Sequence, residues 1–222
     1  MERENILSGA EAFIEKHSKA LLWGVGGVAA VVGLTLAAGS LYFAPRDARA
    51  ANELFRAEAL FRVDSFRLAL EGNGSDIPGF AATADAYGSA PAGNLAQAYA
   101  GICAFRLGDY SRAVDYLKAF DAPDDAVLRP VVTALTGDCY VNLGETEKAI
   151  PYFEKAAKIA GSDLLSPTYL KKAGAAYEAL GQYAKAAKVY RHIRERYYTS
   201  TEAGEIEKYI VRAEELAKAA KH

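Results

Sequence analysis

Gly137-Asp138-Cys139-Tyr140-Val141-Asn142-Leu143-Gly144, followed by Ala149-Ile150, is one of three copies of the same phrase. The copy before it reads Gly101-Ile102-Cys103-Ala104-Phe105-Arg106-Leu107-Gly108-Asp109-Tyr110, with Ala113-Val114. The copy after it reads Gly174-Ala175-Ala176-Tyr177-Glu178-Ala179-Leu180-Gly181-Gln182-Tyr183, with Ala186-Ala187. The leading glycines are 36 and 37 residues apart. A period of this length marks a stack of supersecondary units, each needing its neighbours to bury its apolar face. Such stacks present extended surfaces, so the expected work is binding rather than catalysis.

Each unit reads as two helices. Leu95, Ala96, Tyr99, Ala100, Ile102 and Cys103 put apolar residues at helical spacing before Gly108, and Tyr110, Ala113, Val114 and Leu117 do so after it. The second glycine of each phrase sits where one helix must stop, a place suited to positive φ. The first lies mid-helix, where Gly costs ~1 kcal/mol against Ala, and implies close approach of neighbouring helix backbones. Pro130 and Pro167 fall at the start of the next units, and Ser166 is a candidate cap before Pro167.

These residues resemble the tetratricopeptide repeat over roughly 94–200. The pattern is carried by Gly137, Tyr140, Gly144, Ala149, Phe153 and Ala156, then by Gly174, Tyr177, Gly181, Tyr183, Ala186 and Tyr190. The bulky first position of that family is weak here (Gln97, Thr133, Leu170), and the period exceeds the family's usual length of about 34. The resemblance implies an all-α, superhelical stack of helix pairs. Its units are 94–129, 130–166 and 167–200. A divergent leading helix pair is expected over 45–93, with Phe55, Ala59, Leu60, Val63, Phe66 and Leu70 as one stripe, a loop at 72–76, and Phe80, Ala84 and Tyr87 opening its second helix. Thr199 and Glu202 form a candidate capping box for a final helix over 201–222. Ile206, Tyr209, Ile210, Ala213 and Leu216 make its apolar side, and its polar back suits the end of a stack.

No charged residue occurs between Lys19 and Arg46. As a helix, residues 20–43 are ~36 Å long, enough to cross a ~30 Å hydrocarbon core. Residues 20–44 are therefore expected to be a transmembrane helix in contact with the lipid bilayer, with Trp23 and Tyr42 as interfacial aromatics. Ala48-Arg49-Ala50 resembles a signal-peptide cleavage site, but the apolar run exceeds the ~7–15 residues of such peptides, so a retained anchor is expected. Ala29, Gly33 and Ala37 form a small-xxx-small series. Residues 1–19 form a leader, with Ile6, Leu7, Ala10, Phe13 and Ile14 on one face of an amphipathic helix. Arg3, Lys16 and Lys19 on one side of the span, against Arg46, Arg49, Arg56 and Arg62 on the other, leave orientation open by charge.

Leader, single span and C-terminal repeats together resemble the YfgM family, the ancillary subunit of the SecYEG translocon. The resemblance rests on Glu11 through Leu21, on Asp76-Ile77-Pro78, and on Gly88 through Leu95. The chain is also similar to Bacteroidota-type repeat proteins of the same layout. The YfgM resemblance implies a single-pass protein of the bacterial inner membrane, N-terminus cytoplasmic and repeats periplasmic. It also implies protein partners: translocon subunits, a PpiD-like folding factor, or unfolded segments. Two alternatives stay open, a scaffold of an envelope complex of the Tol–Pal type and a regulatory subunit covering a partner enzyme.

The chain has 222 residues and a net charge of −2. Near-neutrality argues against nucleic acid as partner, since phosphate-backbone binding needs a basic footprint. Cys103 and Cys139 occupy equivalent places in adjacent units, ~8–10 Å apart by helix packing and beyond the ~7 Å limit for a disulfide. Both are expected to be buried packing residues. His17, His192 and His222 stand in no metal-ligand spacing. Asp121, Asp124 and Asp125 read as a solvated connection, and Asn73-Gly74-Ser75 fits a glycosylation acceptor only in a secreted eukaryotic chain. No enzyme activity, cofactor, metal or small-molecule substrate is expected. By the resemblance, a concave face built from first helices would bind protein. Its candidate residues are Leu95, Tyr99, Ile102, Phe105, Arg106, Val131, Asp138, Val141, Asn142, Lys171, Lys172 and Glu178, with Ala98, Ala134, Leu135, Thr168 and Ala175 beside them. They are not the Lys/Asn/Arg clamp that chaperone-binding members use for a C-terminal carboxylate.

Overall fold

A computed structural model describes residues 23–220, together with His17 and Lys19. The apolar face expected of the leader, residues 20–22 and His222 lie outside the described residues. The chain divides into two compact units, Met1–Arg49 and Ala50–His222.

In the first unit the chain is helical from Trp23, with a π-helical turn at Gly39–Phe43. Trp23–Phe61 is one helix long and apolar enough to cross a membrane. From Trp23 to Phe43 its large apolar side chains are exposed, Trp23 at 84% and Leu41 at 78%. Its two aliphatic hydroxyls are satisfied within the helix: Thr35 Oγ1 donates to the Val32 carbonyl (2.8 Å) and Ser40 Oγ to that of Ala37 (3.4 Å). Bonding these hydroxyls within the helix lowers the cost of placing them in hydrocarbon.

The second unit is helical throughout, and no strand occurs among the described residues. Three helices lead it where a pair was expected: α1 (Ala44–Phe61, whose first turns belong to the first unit), α2 (Phe66–Glu71) and α3 (Gly79–Tyr87). The expected stripe is corrected here. Phe55 and Val63 are exposed, and α1 buries Ala50, Leu54 and Ala57, one helical turn after another. The proposed run mixed two faces, because α1 ends at Phe61 and the chain turns through Asp64 at φ 56° before α2 begins.

The repeats follow as α4 (Pro91–Arg106) with α5 (Tyr110–Ala119), α6 (Leu128–Asn142) with α7 (Thr146–Ala160), and α8 (Ser166–Ala179) with α9 (Tyr183–Arg196). All three first helices end in the same way. The N–H groups of Gly108, Gly144 and Gly181 donate to the carbonyls of Phe105, Val141 and Glu178. Those of Asp109, Glu145 and Gln182 donate to Ala104, Tyr140 and Tyr177. This is the Schellman pattern, and the glycines hold its left-handed residue at φ 80°, 77° and 68°.

The close backbone approach expected at the mid-helix glycines occurs at Gly101, where a Cβ would lie 3.2 Å from Leu117 N, and all three glycines are covered mainly by a side chain. A Cβ at Gly101 would lie 2.6 Å from Leu117 Cδ2, and one at Gly137 2.7 Å from Phe153 Cε1. At Gly174 it would run into the Tyr190 ring. Each partner is the residue 16 positions on, in the second helix of the same pair, and each is buried.

Two end devices also differ from expectation. Ser166 is not a cap for its own helix: its hydroxyl donates to the Ala157 carbonyl (2.8 Å) and accepts from Ser162 N–H (3.1 Å), tying the end of α7 to the start of α8. The terminal cap residue is Ser200, which accepts from Ala203 N–H at 3.1 Å, and the final segment is two helices, α10 (Thr201–Glu205) and α11 (Glu207–Ala219). Ile206, Ile210 and Ala213 are buried, whereas Leu216 stays exposed.

Replacing Gly by Ala inside a helix ordinarily stabilises by ~1 kcal/mol. At Gly174 the sign reverses, because the buried Tyr190 ring has nowhere to go. Gly174→Ala is expected to cost about 1–3 kcal/mol in thermal or denaturant unfolding. Gly204→Ala, with nothing within 4 Å of its Cβ, is expected to be neutral or stabilising. Equal effects at both positions would refute the seat.

Candidate functional site

The first helices α4, α6 and α8 make one layer of the repeat stack, and α11 packs on α9 as the first helix of a further unit would. Charged side chains cross between neighbours of this layer. Lys172 Nζ on α8 donates to both carboxylate oxygens of Asp138 on α6, at 2.8 and 2.6 Å. Arg212 on α11 pairs with Glu178 on α8, and Lys171 on α8 pairs with Glu205 on α10. Thr168 Oγ1 donates to Glu202 at 2.6 Å. Each of these four contacts joins residues 34 positions apart. The Glu205 carboxyl is held below its ordinary range, first by its bond from Lys171 and then by that from Lys208.

Asp138 and Lys172 stand at the rim of a recess of about 230 Å³. Its apolar lining is Val141, Phe153, Ala175, Ala176 and Ala179, with Thr146 at the side. Lys172 Nζ also sits 5.8 Å from the Phe153 ring centroid. The recess can take an apolar side chain, and the ion pair beside it offers lone pairs and N–H groups to a backbone.

Of the twelve residues picked from sequence, Asp138, Val141 and Lys172 meet at this recess. Lys171 and Glu178 lie further along the layer, occupied in ion pairs. Val131 is 39% exposed, and Asn142 is exposed with its amide donating to the Asp138 carbonyl. The α4 residues do different work. Tyr99 stacks on Phe80 (centroids 4.8 Å apart) and meets Phe61 edge-on; burial, then the Glu58 carboxylate, pushes its hydroxyl pKa up. Phe105 packs edge-on against Tyr110, Leu95 against the core, and the Arg106 guanidinium lies over the Phe66 ring at 5.5 Å. Ile102 is half-buried. Sequence reading missed Phe153, Ala176 and Ala179 in the recess, and Arg212 and Glu205 as partners. Opposite charges spaced 34 apart were the available signal.

Both cysteines are free and fully buried. Burial pushes each thiol up to about 12, with the Asp138 carboxylate adding to the effect at Cys139. His192 is exposed and edge-on to Tyr197. Asp125 accepts from the N–H groups of Val127 and Leu128 at the entrance to α6 (2.9 and 2.6 Å). Asn73 accepts three backbone N–H bonds that close the 72–77 loop. Among the described residues no group of three or more His, Cys, Asp and Glu could hold a metal ion.

The geometry defines a stack of tetratricopeptide-like helix pairs. Residues 132–199 match the tetratricopeptide repeat family model. Two solved structures of a Podosopora anserina protein described as a putative kinesin light chain with nearly identical TPR-like repeats are similar in fold, one of them a single-substitution variant. Each gives a TM-score of 0.58 at 13% identity, covering 79% of this chain and 89% and 90% of the other. No curated protein matches. Repeats of this family generally mediate protein–protein interaction.

The thiols set a pH dependence. From their ordinary value of 9.0 upward, the unfolded chain gives up thiol protons that the folded chain keeps until about 12. Folding stability contributed by the neutral thiols is therefore full below pH 9.0 and falls as pH rises towards 12. Melting temperature is expected to drop across that interval, and the drop to shrink in Cys103→Ala/Cys139→Ala. Ellman's reagent is expected to label neither thiol until the chain is unfolded.

Proposed function

We propose that the protein is a membrane-anchored adaptor whose first-helix layer binds a protein segment, and that it serves protein translocation and folding in the bacterial envelope. The recess between α6 and α8 carries this reading. It pairs an apolar socket with a rim whose charges already neutralise one another, which suits an apolar or helical segment better than a charged tail. The tetratricopeptide match supports protein as the ligand, and the exposed apolar surface of the helix from Trp23 supports residues 20–44 as the anchor. Placement of the repeats on the periplasmic side, beside the translocon and a PpiD-like folding factor, rests on the resemblance to the YfgM layout.

Carbonate extraction is expected to leave the full chain with the membrane and to release a chain lacking 1–45 as a folded helical protein. A photo-crosslinking residue at Val141 is expected to capture partner in cells, with SecY and a PpiD-like protein among the products. Ala175→Glu is expected to cut that yield about tenfold, the effect of placing a charge in an apolar socket, while leaving helix content unchanged. Crosslinks without translocon or folding-factor products would remove the translocon assignment and keep the groove. Undiminished yield in Ala175→Glu would remove the groove. Protease added to spheroplasts is expected to digest the repeats.

A further inference from the structure

A second recess, of about 440 Å³, shares no lining residue with the first-helix socket and lies between the end of α5, the connection after it, α6 and α7. Three cations line it, one from each helix: Lys118, Arg129 and Lys155. One carboxylate, Asp121, and the hydroxyl-bearing Thr133, Thr136 and Tyr152 line it as well.

Its charge balance is net positive. Several cations that reach between helices elsewhere are matched, as in Arg112–Glu71, Lys172–Asp138, Arg191–Glu214, Arg194–Glu207 and Arg212–Glu178. Among the described residues Lys118, Arg129 and Lys155 form no ion pair. The nearby Asp125 carboxylate does not compensate Arg129, since it is spent on the α6 N–H groups. Three cations against one carboxylate leave a net positive lining in a concave setting, where an anion is held more strongly than on an open surface.

The walls are also fixed before any ligand arrives. The Asn94 side chain clamps the backbone of Asp121, donating to its carbonyl (2.7 Å) and accepting from its N–H (2.9 Å). Arg129 Nη1 donates to the Pro123 carbonyl at 2.7 Å, which orients the guanidinium and leaves most of its five N–H donors unspent. The Tyr152 ring is set against Tyr140, centroids 5.3 Å apart.

We infer that this recess binds a phosphate group. A single carboxylate would be served by one cation, and Asp121 already supplies one. A tetrahedral group of nearly two charges and several acceptor oxygens uses all three cations, two lysines as point charges and an arginine as an oriented fork. The site is separate from the protein-binding groove and does not depend on it.

Isothermal titration calorimetry on the full chain in neutral detergent, at constant ionic strength, tests this. Inorganic phosphate and glycerol 3-phosphate are the probes, with malonate and chloride as comparators. One saturable phosphate site per chain is expected, weakening about tenfold for each charge removed in Lys118→Gln and Lys155→Gln. Lys148→Gln, at a residue paired with Glu145, is expected to leave it unchanged. Tighter glycerol 3-phosphate assigns the recess to phosphate esters, and equal affinity assigns it to free phosphate. No saturable heat, malonate binding as tight as phosphate, or undiminished affinity in the double variant with helix content intact overturns the inference.

Discussion

A glycine in the first helix of each pair is covered by a bulky side chain of the second, and the stack depends on this contact. Leu117 covers Gly101, Phe153 covers Gly137 and Tyr190 covers Gly174. A side chain seated on bare backbone brings the two helices of a pair close without leaving a void, and close-packed interiors tolerate neither a gap nor an extra methyl. The turn makes the contact reproducible. The left-handed glycine closes the first helix with the same two hydrogen bonds every time, so the second helix returns at one angle and the residue 16 positions on lands on the seat.

The seats connect the core to the surface layer. Tyr190 is the largest of the three, and its hydroxyl reaches the Arg212 guanidinium that pairs with Glu178. Burial, then the Glu178 carboxylate, pushes the phenol up, while Arg212 opposes the shift. Phe153 forms part of the apolar recess and lies under Lys172, whose partner is Asp138. The same side chains thus fix helix spacing inside a pair and floor the ionic contacts between pairs. Each exposed ion pair contributes only ~0–1 kcal/mol by itself. Their larger effect is to hold neighbouring first helices in register and to leave the groove without net charge.

The repeat was legible because its cause is local: a helix, a left-handed stop, a second helix. Burial of both cysteines followed from the same register. Contacts whose cause lies between units were harder. Asp138 and Lys172 are 34 apart, whereas the glycines beside them are 37 apart. The lysine therefore sits one helical turn earlier in its repeat than the aspartate's counterpart, and a reading that aligned repeats position by position could not pair them. The leading segment failed for a different reason. Phe55 and Val63 look like core by residue type, but α1 turns Ala50, Leu54 and Ala57 inward. Three small or medium side chains suffice there because Phe61, Phe80 and Tyr99 fill the space beside them with stacked and edge-on rings.

The same offset explains how the stack ends. A unit without a successor would leave α8 with Thr168, Lys171 and Glu178 facing solvent. Instead α10 and α11 supply Glu202, Glu205 and Arg212 at the 34-residue spacing of Asp138 and Lys172. Ile206, Ile210 and Ala213 close the core on α9. The final segment therefore takes the place that the first half of a further repeat would take, and its other side is polar. Along the first-helix layer, charges that face a neighbouring unit are answered by it. Lys118, Arg129 and Lys155, between α5, α6 and α7, are not answered in this way, and against the single Asp121 they leave a recess whose lining is net positive, the feature that most directly asks for a ligand.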